Sequence, residues 1–202
     1  MESTHDWSVA VDADHLEEIW NADGRYSEGG ITHLVLEVLA YPLDEAASGT
    51  TDRVRVTLHA DGSISVEDNG RGTATRYDDA GNPKVKPIMA TRDLRFFGVA
   101  DAPLLPDGRV RSGISVVAAM SEWLTHTNRR AGGRGWAQRY ERGLPKGPRI
   151  EIASGNTTGT TVHFRPDRTV FGAERPSVES LRALCSGFTT TATVEIHEVT
   201  GI

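Results

Sequence analysis

The sequence predicts a mixed α/β domain whose strands follow one another in hairpins, and three observations predict it. Residues 31–47 place Leu34, Val35, Val38, Leu39 and Leu43 near helical spacing. Residues 54–59 and 63–67 alternate apolar and polar side chains about an Ala60-Asp61-Gly62 turn, which is hairpin chemistry. Beyond Leu124 several strand-like runs succeed one another without the intervening helices of a doubly wound parallel sheet. A single domain of 202 residues buries about 70% of its unfolded surface, enough for one sizeable core.

From the N-terminus, residues 14–20 form a short helix, with Leu16, Ile19 and Trp20 on one side. A polar, glycine-rich connection over 21–30 leads to the long helix. Within that helix Pro42 removes the bond to the Val38 carbonyl, a cost of about 3 kcal/mol relative to Ala. The hairpin follows, then the loop Asp68-Asn69-Gly70-Arg71-Gly72. Residues 73–112 carry little periodicity, and a stretch of that length reads as a lid-like or mobile insertion. A helix is expected over 114–124. Strands are expected over 124–128, 135–140, 149–153, 160–165 and 193–199, and a helix over 178–186 with Ser177 as its N-cap.

Composition removes several function classes. With 22 Lys+Arg against 28 Asp+Glu, the net charge is -6, which argues against direct, nonspecific contact with DNA or RNA phosphates. The single cysteine, Cys185, excludes an intramolecular disulfide framework and any multi-cysteine metal site; it reads as a small core residue. No apolar run approaches the roughly 20 residues of a membrane span. Residues 1–12 lack the basic and apolar regions of a secretory signal, so the chain reads as cytoplasmic. His59, His126 and His163 sit in separate strands without ligand spacing, and Trp20, Trp123 and Trp136 read as core or interface residues.

Four pieces carry chemistry. His33 and Glu37 stand four residues apart on one helical face, where the imidazole can orient the carboxylate as a base for water; alone, the pair also reads as a surface contact. Asp68-x-Gly70-x-Gly72 follows a strand directly. Its carboxylate can accept from an exocyclic amine, and its glycines let the backbone approach a flat ligand; alone it also reads as a turn. Gly159-Thr160-Thr161-Val162 opens a later strand. Gly113 precedes Ser115-Val116-Val117 at a helix start suited to phosphate.

Taken in order, these pieces resemble one family. The series runs Glu37-Val38-Leu39 with Leu43-Asp44-Glu45-Ala46, then Val66-Glu67-Asp68-Asn69-Gly70-Arg71-Gly72, then Gly113-Ile114-Ser115-Val116-Val117 with Ala119 and Ser121. It continues through Gln138-Arg139-Tyr140-Glu141-Arg142-Gly143 to Thr158-Gly159-Thr160 with Val162 and Phe164. It is similar to the gyrase-B-like ATPase domain of type II DNA topoisomerases, within the GHKL group. The resemblance runs from about Gly30 to the C-terminus. It implies a Bergerat fold, a two-layer α/β sandwich with helices on one face of a mixed, mainly antiparallel sheet. It further implies one nucleotide-binding domain over 1–202, with an N-terminal extension over about 1–29 and a lid-like insertion over about 73–112. The implied ligand is ATP or ADP. Asp68 would meet the adenine amine with Thr160 in support through water, and Gly70 and Gly72 would allow close approach. Arg71 would pair with Glu45, Arg130 would flank the adenine pocket, and Gly113 would open the phosphate-side helix. Glu37 would be the general base, paired with His33.

The departures from the family pattern bear on mechanism. Where the family carries its magnesium-ligating Asn, this chain has Tyr41, whose neutral phenol is a poor ligand for Mg²⁺. The phosphate lid is degraded to Pro106-Asp107-Gly108-Arg109-Val110-Arg111-Ser112-Gly113, in which Arg109 and Arg111 can meet phosphate or solvent. The chain ends at Ile202, ahead of the family's transducer region, so supercoiling by this chain alone is not expected. Two readings follow: a topoisomerase-type ATPase with weak or absent hydrolysis, or a non-hydrolysing module that senses a nucleotide or regulates a protein partner or second copy. A GHKL kinase is disfavoured by the Gln138-to-Gly143 stretch and the helix after Gly113.

Overall fold

Asp12 accepts a hydrogen bond from the His15 amide at 3.0 Å and caps α1 (Ala13–Trp20). The computed structural model describes residues 4–200 apart from 7, 23, 78, 80–82, 133 and 154–156. The long helix, α2 (Gly30–Ala46), continues through Pro42. Its buried residues lie all round the helix rather than on one stripe, as befits a helix at the centre of a domain. Leu34, Leu36 and Leu39 are fully buried, and each contributes about 1.5–3 kcal/mol by leaving water.

Strand β1 (Arg53–Leu58) pairs antiparallel with β2 (Ile64–Asp68), Val56 opposite Val66. Then comes a small antiparallel ribbon, β3 (Thr75–Tyr77) with β4 (Pro83–Val85). Helix α3 (Ile114–Ala119) leads into β5 (Ser121–Arg129), β6 (Gly135–Glu141), β7 (Leu144–Ile152) and β8 (Gly159–Pro166). The chain closes with α4 (Arg168–Phe171), α5 (Val178–Cys185) and β9 (Thr193–Glu198). The main sheet has the order β7-β6-β5-β8-β2-β1-β9. Only β1 and β9 run parallel within it.

One face of this sheet builds the core. Val54, Val56, Val66, Leu124, Val162, Phe164 and Ile196 join α2 and α3 in a single apolar cluster. The opposite face is polar, with Arg55 paired to Glu195 at 3.3 Å and His163 packed against Trp123 and His59. The result is a two-layer α/β sandwich of Bergerat type, with a mixed, mostly antiparallel sheet. No helix among the described residues is long and apolar enough to cross a membrane.

Three expectations need correction. The helix expected over 114–124 stops at Ala119, and Ser121 already pairs with Pro166 in the sheet. The Ser121 hydroxyl donates to the Val117 carbonyl at 2.6 Å and closes the helix. A short apolar run cannot by itself choose between helix and strand, and the available partner strand decides here. The strand expected over 149–153 is longer, beginning at Leu144. It is an exposed edge strand containing Pro145 and Pro148, residues that hide a strand from sequence reading but suit an edge. Finally, residues 86–112 lack regular structure yet supply buried Met89, Ala90, Phe96, Phe97, Ala102 and Leu105. Phe97 lies edge-on to His15 and stacked on Tyr26. This part of the insertion is packed into the fold rather than laid over it.

Candidate functional site

The last residue of β2 is Asp68, on the helix-bearing face beyond Ile64 and Val66. In the antiparallel register Glu67 lies opposite Thr161, which brings Thr160 beside Asp68. Gly159 is obligatory at this crossing. Its φ is +124°, and a Cβ there would run into the Asp68 carbonyl. The Gly70 amide donates to Asp68 Oδ1 at 2.8 Å. Burial nevertheless pushes the Asp68 carboxyl up to about 6, against the opposing amides of Gly70 and Thr160. A carboxylate raised by desolvation is one that gains from a new hydrogen-bond donor. Thr51 Oγ1 lies against Gly70, is buried, and has no hydrogen-bond partner among the described residues. Sequence reading missed Thr51, because nothing local marks a residue that acquires its place from the strand behind it.

The loop after Asp68 is tied down on both sides. Arg71 donates to Glu45 at 2.8 Å, linking it to the end of α2. Gly72 has φ +79°, and a Cβ there would meet Asn128 Oδ1 and the Arg129 carbonyl. Asn128 Oδ1 accepts from the Thr73 amide at 2.6 Å, while Arg130 donates to the carbonyls of Gly72 and Thr73 at 3.2 and 3.3 Å. Beneath lies His126, edge-on to Trp136 and within 3.2 Å of the Thr73 hydroxyl. Burial holds its pKa down to about 3, so the imidazole stays neutral. His126 and Asn128 floor this end of the site. Their strand was visible in the sequence, but which face they occupy was not.

The other end lies along α2. Glu45, at the Arg71 contact, stands eight residues beyond Glu37, about 12 Å along the helix axis. Here the chain meets itself. Glu37 is fully buried; its Oε1 accepts from the Ser112 amide at 2.5 Å and its Oε2 from the Gly113 amide at 3.1 Å. His33 Nε2 lies 3.5 Å from Glu37 Oε1, and its Nδ1 lies 2.7 Å from Asp107. Burial works to lower the His33 pKa, but the bonds and charges of Glu37 and Asp107 outweigh it and leave it raised. Tyr41 donates to Asp93 at 2.9 Å and accepts from the Ile114 amide at 3.1 Å. Burial, reinforced by Asp93, raises its pKa and keeps the phenol neutral. Arg111 is buried, donates to Asp44 at 2.7 Å, and places its guanidinium carbon 3.9 Å from the Phe96 ring centre and 4.7 Å from that of Tyr41.

The residues therefore fit one half of a magnesium nucleotide and not the other. At the Asp68 end a raised carboxylate and an orphaned hydroxyl suit the edge of an aminopurine. At the Glu37 end both carboxylate oxygens are engaged by backbone amides, and Tyr41 offers a neutral phenol already bonded twice. The Gly113 amide, expected to face phosphate, is taken by Glu37. Arg109 lies 3.4 Å from Glu28. Among the described residues no group of three or more His, Cys, Asp or Glu side chains is placed to hold a metal ion. A separate cavity of about 290 Å³ touches Asp68 and Asn69 from the side of Arg53, Arg55 and Glu67. Those three alternate with the core-facing Val54 and Val66, so it opens on the polar face of the sheet.

Comparison with known proteins bears on the family of the chain. No family model matches the chain. It is 38% identical over 149 residues to the gyrase B protein of Thermotoga maritima, covering 73% of this chain and 23% of that protein. It is likewise 38% identical over 167 residues to the gyrase B protein of Archaeoglobus fulgidus, covering 78% and 26%. The DNA topoisomerase 4 B protein of Bacillus subtilis is 36% identical over 171 residues, covering 82% and 26%. The chain thus spans about a quarter of the length of the curated relatives it matches.

Proposed function

The chain belongs to the gyrase-B-like, Bergerat-fold (GHKL) domains, and from that premise we propose that it binds an adenine nucleotide and hydrolyses it weakly or not at all. The observation that carries the reading is Asp68, whose carboxyl is raised to about 6 by burial at the end of β2 beside Thr160. An exocyclic amine donating to this carboxylate would form a charge-assisted bond worth about 1.5–3 kcal/mol. Gly70 and Gly72 let the loop pack closely against Thr51 and Asn128, and Arg71 and Arg130 hold it in place. Residues 1–202 would act as one nucleotide-binding domain.

Glu37 and His33 stand in the general-base positions, but Glu37 is fully buried and bonded to the Ser112 and Gly113 amides. Water does not reach it while those bonds hold. Phosphoryl transfer also depends on metal and cationic groups at the transferring phosphate, and this end of the site does not fit Mg²⁺. That observation favours the second reading, a nucleotide-sensing or partner-regulating module, over an active ATPase.

Calorimetry of the Asp68→Ala variant with adenine nucleotides tests the proposal. A loss of at least about tenfold in affinity, with the circular dichroism spectrum unchanged, is expected. Equal affinity in a folded variant would remove Asp68 from the site. Phosphate release by the wild type should match that of Glu37→Ala; a wild-type rate abolished in the variant would restore an active ATPase.

A further inference from the structure

One segment covers the whole working face of α2. Asp107 meets His33, the amides of Ser112 and Gly113 meet Glu37, the Ile114 amide meets Tyr41, and Arg111 meets Asp44. These four helix positions span about 16 Å along one side. Gly113 is what lets the segment lie so close. Its φ is +104°, and a Cβ there would sit 3.2 Å from Asp93 Cβ and 3.5 Å from the Tyr41 oxygen. Phe96 braces the contact, with the guanidinium of Arg111 at 3.9 Å and that of Arg95 at 4.5 Å. Arg95 is itself bound to Asp93, at 2.7 and 3.0 Å.

The charge along this face decides what can enter. Glu37, Asp44, Asp93 and Asp107 all line it; of the arginines beside it, Arg95 and Arg111 are already paired with Asp93 and Asp44, and Arg109 lies 3.4 Å from Glu28. The three amides that could have received phosphate oxygens donate instead to Glu37 and Tyr41. A polyphosphate would have to displace these bonds and leave the buried Glu37 carboxylate without its amide donors. A neutral nucleoside held at Asp68 meets none of them.

We infer that residues 107–114 clasp α2 shut and make this a site for the base and sugar of an adenine nucleoside, in which β- and γ-phosphates add no affinity. This rests on the adenine-site reading proposed above. Any nucleotide that binds does so through its base, with its phosphates directed away from Glu37.

The test is a calorimetric series on the full chain with adenosine, AMP, ADP and ATP, each in EDTA and in Mg²⁺. Dissociation constants within about threefold across the series, unaltered by Mg²⁺, are expected. At saturation with adenosine or ATP, the Ser112 and Gly113 amides, bonded to Glu37, should exchange as slowly as in the protein without ligand. ATP binding about tenfold or more tighter than adenosine, or loss of that protection on adding ATP, would overturn the clasp while leaving the adenine site in place. Absence of binding by adenosine and ATP alike would remove the adenine site itself, and the inference with it. The Arg111→Ala variant adds an independent check. Unchanged or tighter ATP binding fits a clasp, whereas a loss of about fivefold or more for ATP alone would make Arg111 a phosphate ligand and refute it.

Discussion

Replacing Asp68 by Asn should stabilise the empty protein and weaken its hold on adenine at the same time. The carboxyl titrates near about 6 in the folded chain, above its ordinary value of 3.8, because burial penalises its charge. The folded state therefore binds the proton more tightly than the unfolded state. Stability contributed by this group is highest below about pH 4 and falls as pH rises toward about 6. Above that range the ionised side chain costs about 2–3 kcal/mol. Asn carries no charge and offers one carbonyl oxygen where the carboxylate meets the amides of both Gly70 and Thr160. Allowing for imperfect placement of its amide nitrogen, about 2 kcal/mol should be recovered at pH 8, a rise of about 4–8 °C in Tm for a domain of this size. At a pH below about 4 the two proteins should melt together. Adenosine affinity at pH 8 should fall about tenfold or more, since the charge-assisted bond is lost. Thermal melts at both pH values and calorimetry at the higher one decide the matter. A Tm at pH 8 equal to or below wild type, with adenosine affinity unchanged, would refute the account of Asp68 as a desolvated acceptor.

Further outcomes follow from the same geometry. Adenosine binding to the wild type should be flat between about pH 7 and 9 and weaken as pH drops through about 6, following protonation of Asp68; titrations across that range would show it, and constant affinity down to pH 5 would contradict it. Glu37→Ala should destabilise the fold by about 2–5 kcal/mol, because the Ser112 and Gly113 amides lose their acceptors in a buried setting; denaturant unfolding measures this. Tyr41→Phe should cost about 1–3 kcal/mol by freeing the Ile114 amide and one bond of Asp93, read by the same unfolding curves. Gly159→Ala should disorder the Asp68 loop and abolish adenosine binding, since a Cβ cannot share space with the Asp68 carbonyl; a folded variant with normal affinity would count against the tight crossing.

Much of this was legible in the residues because the relevant information is local. Apolar spacing marked α2, alternation about Ala60-Asp61-Gly62 marked the β1–β2 hairpin, and Ser177 marked the start of α5. The order of short motifs pointed to the gyrase-B-like domains. Spacing four apart put His33, Glu37 and Tyr41 on one side of a helix, since that periodicity is a property of the helix itself. What covers that side is another matter. Ser112 and Gly113 reach Glu37 across about 75 residues of chain, β9 finds β1 across about 140, and Ser121 leaves its helix because β8 offers a partner. Periodicity determines which way a side chain faces; only the closing of distant segments determines what it faces, because those contacts depend on which buried donors and acceptors must be satisfied once the core has packed.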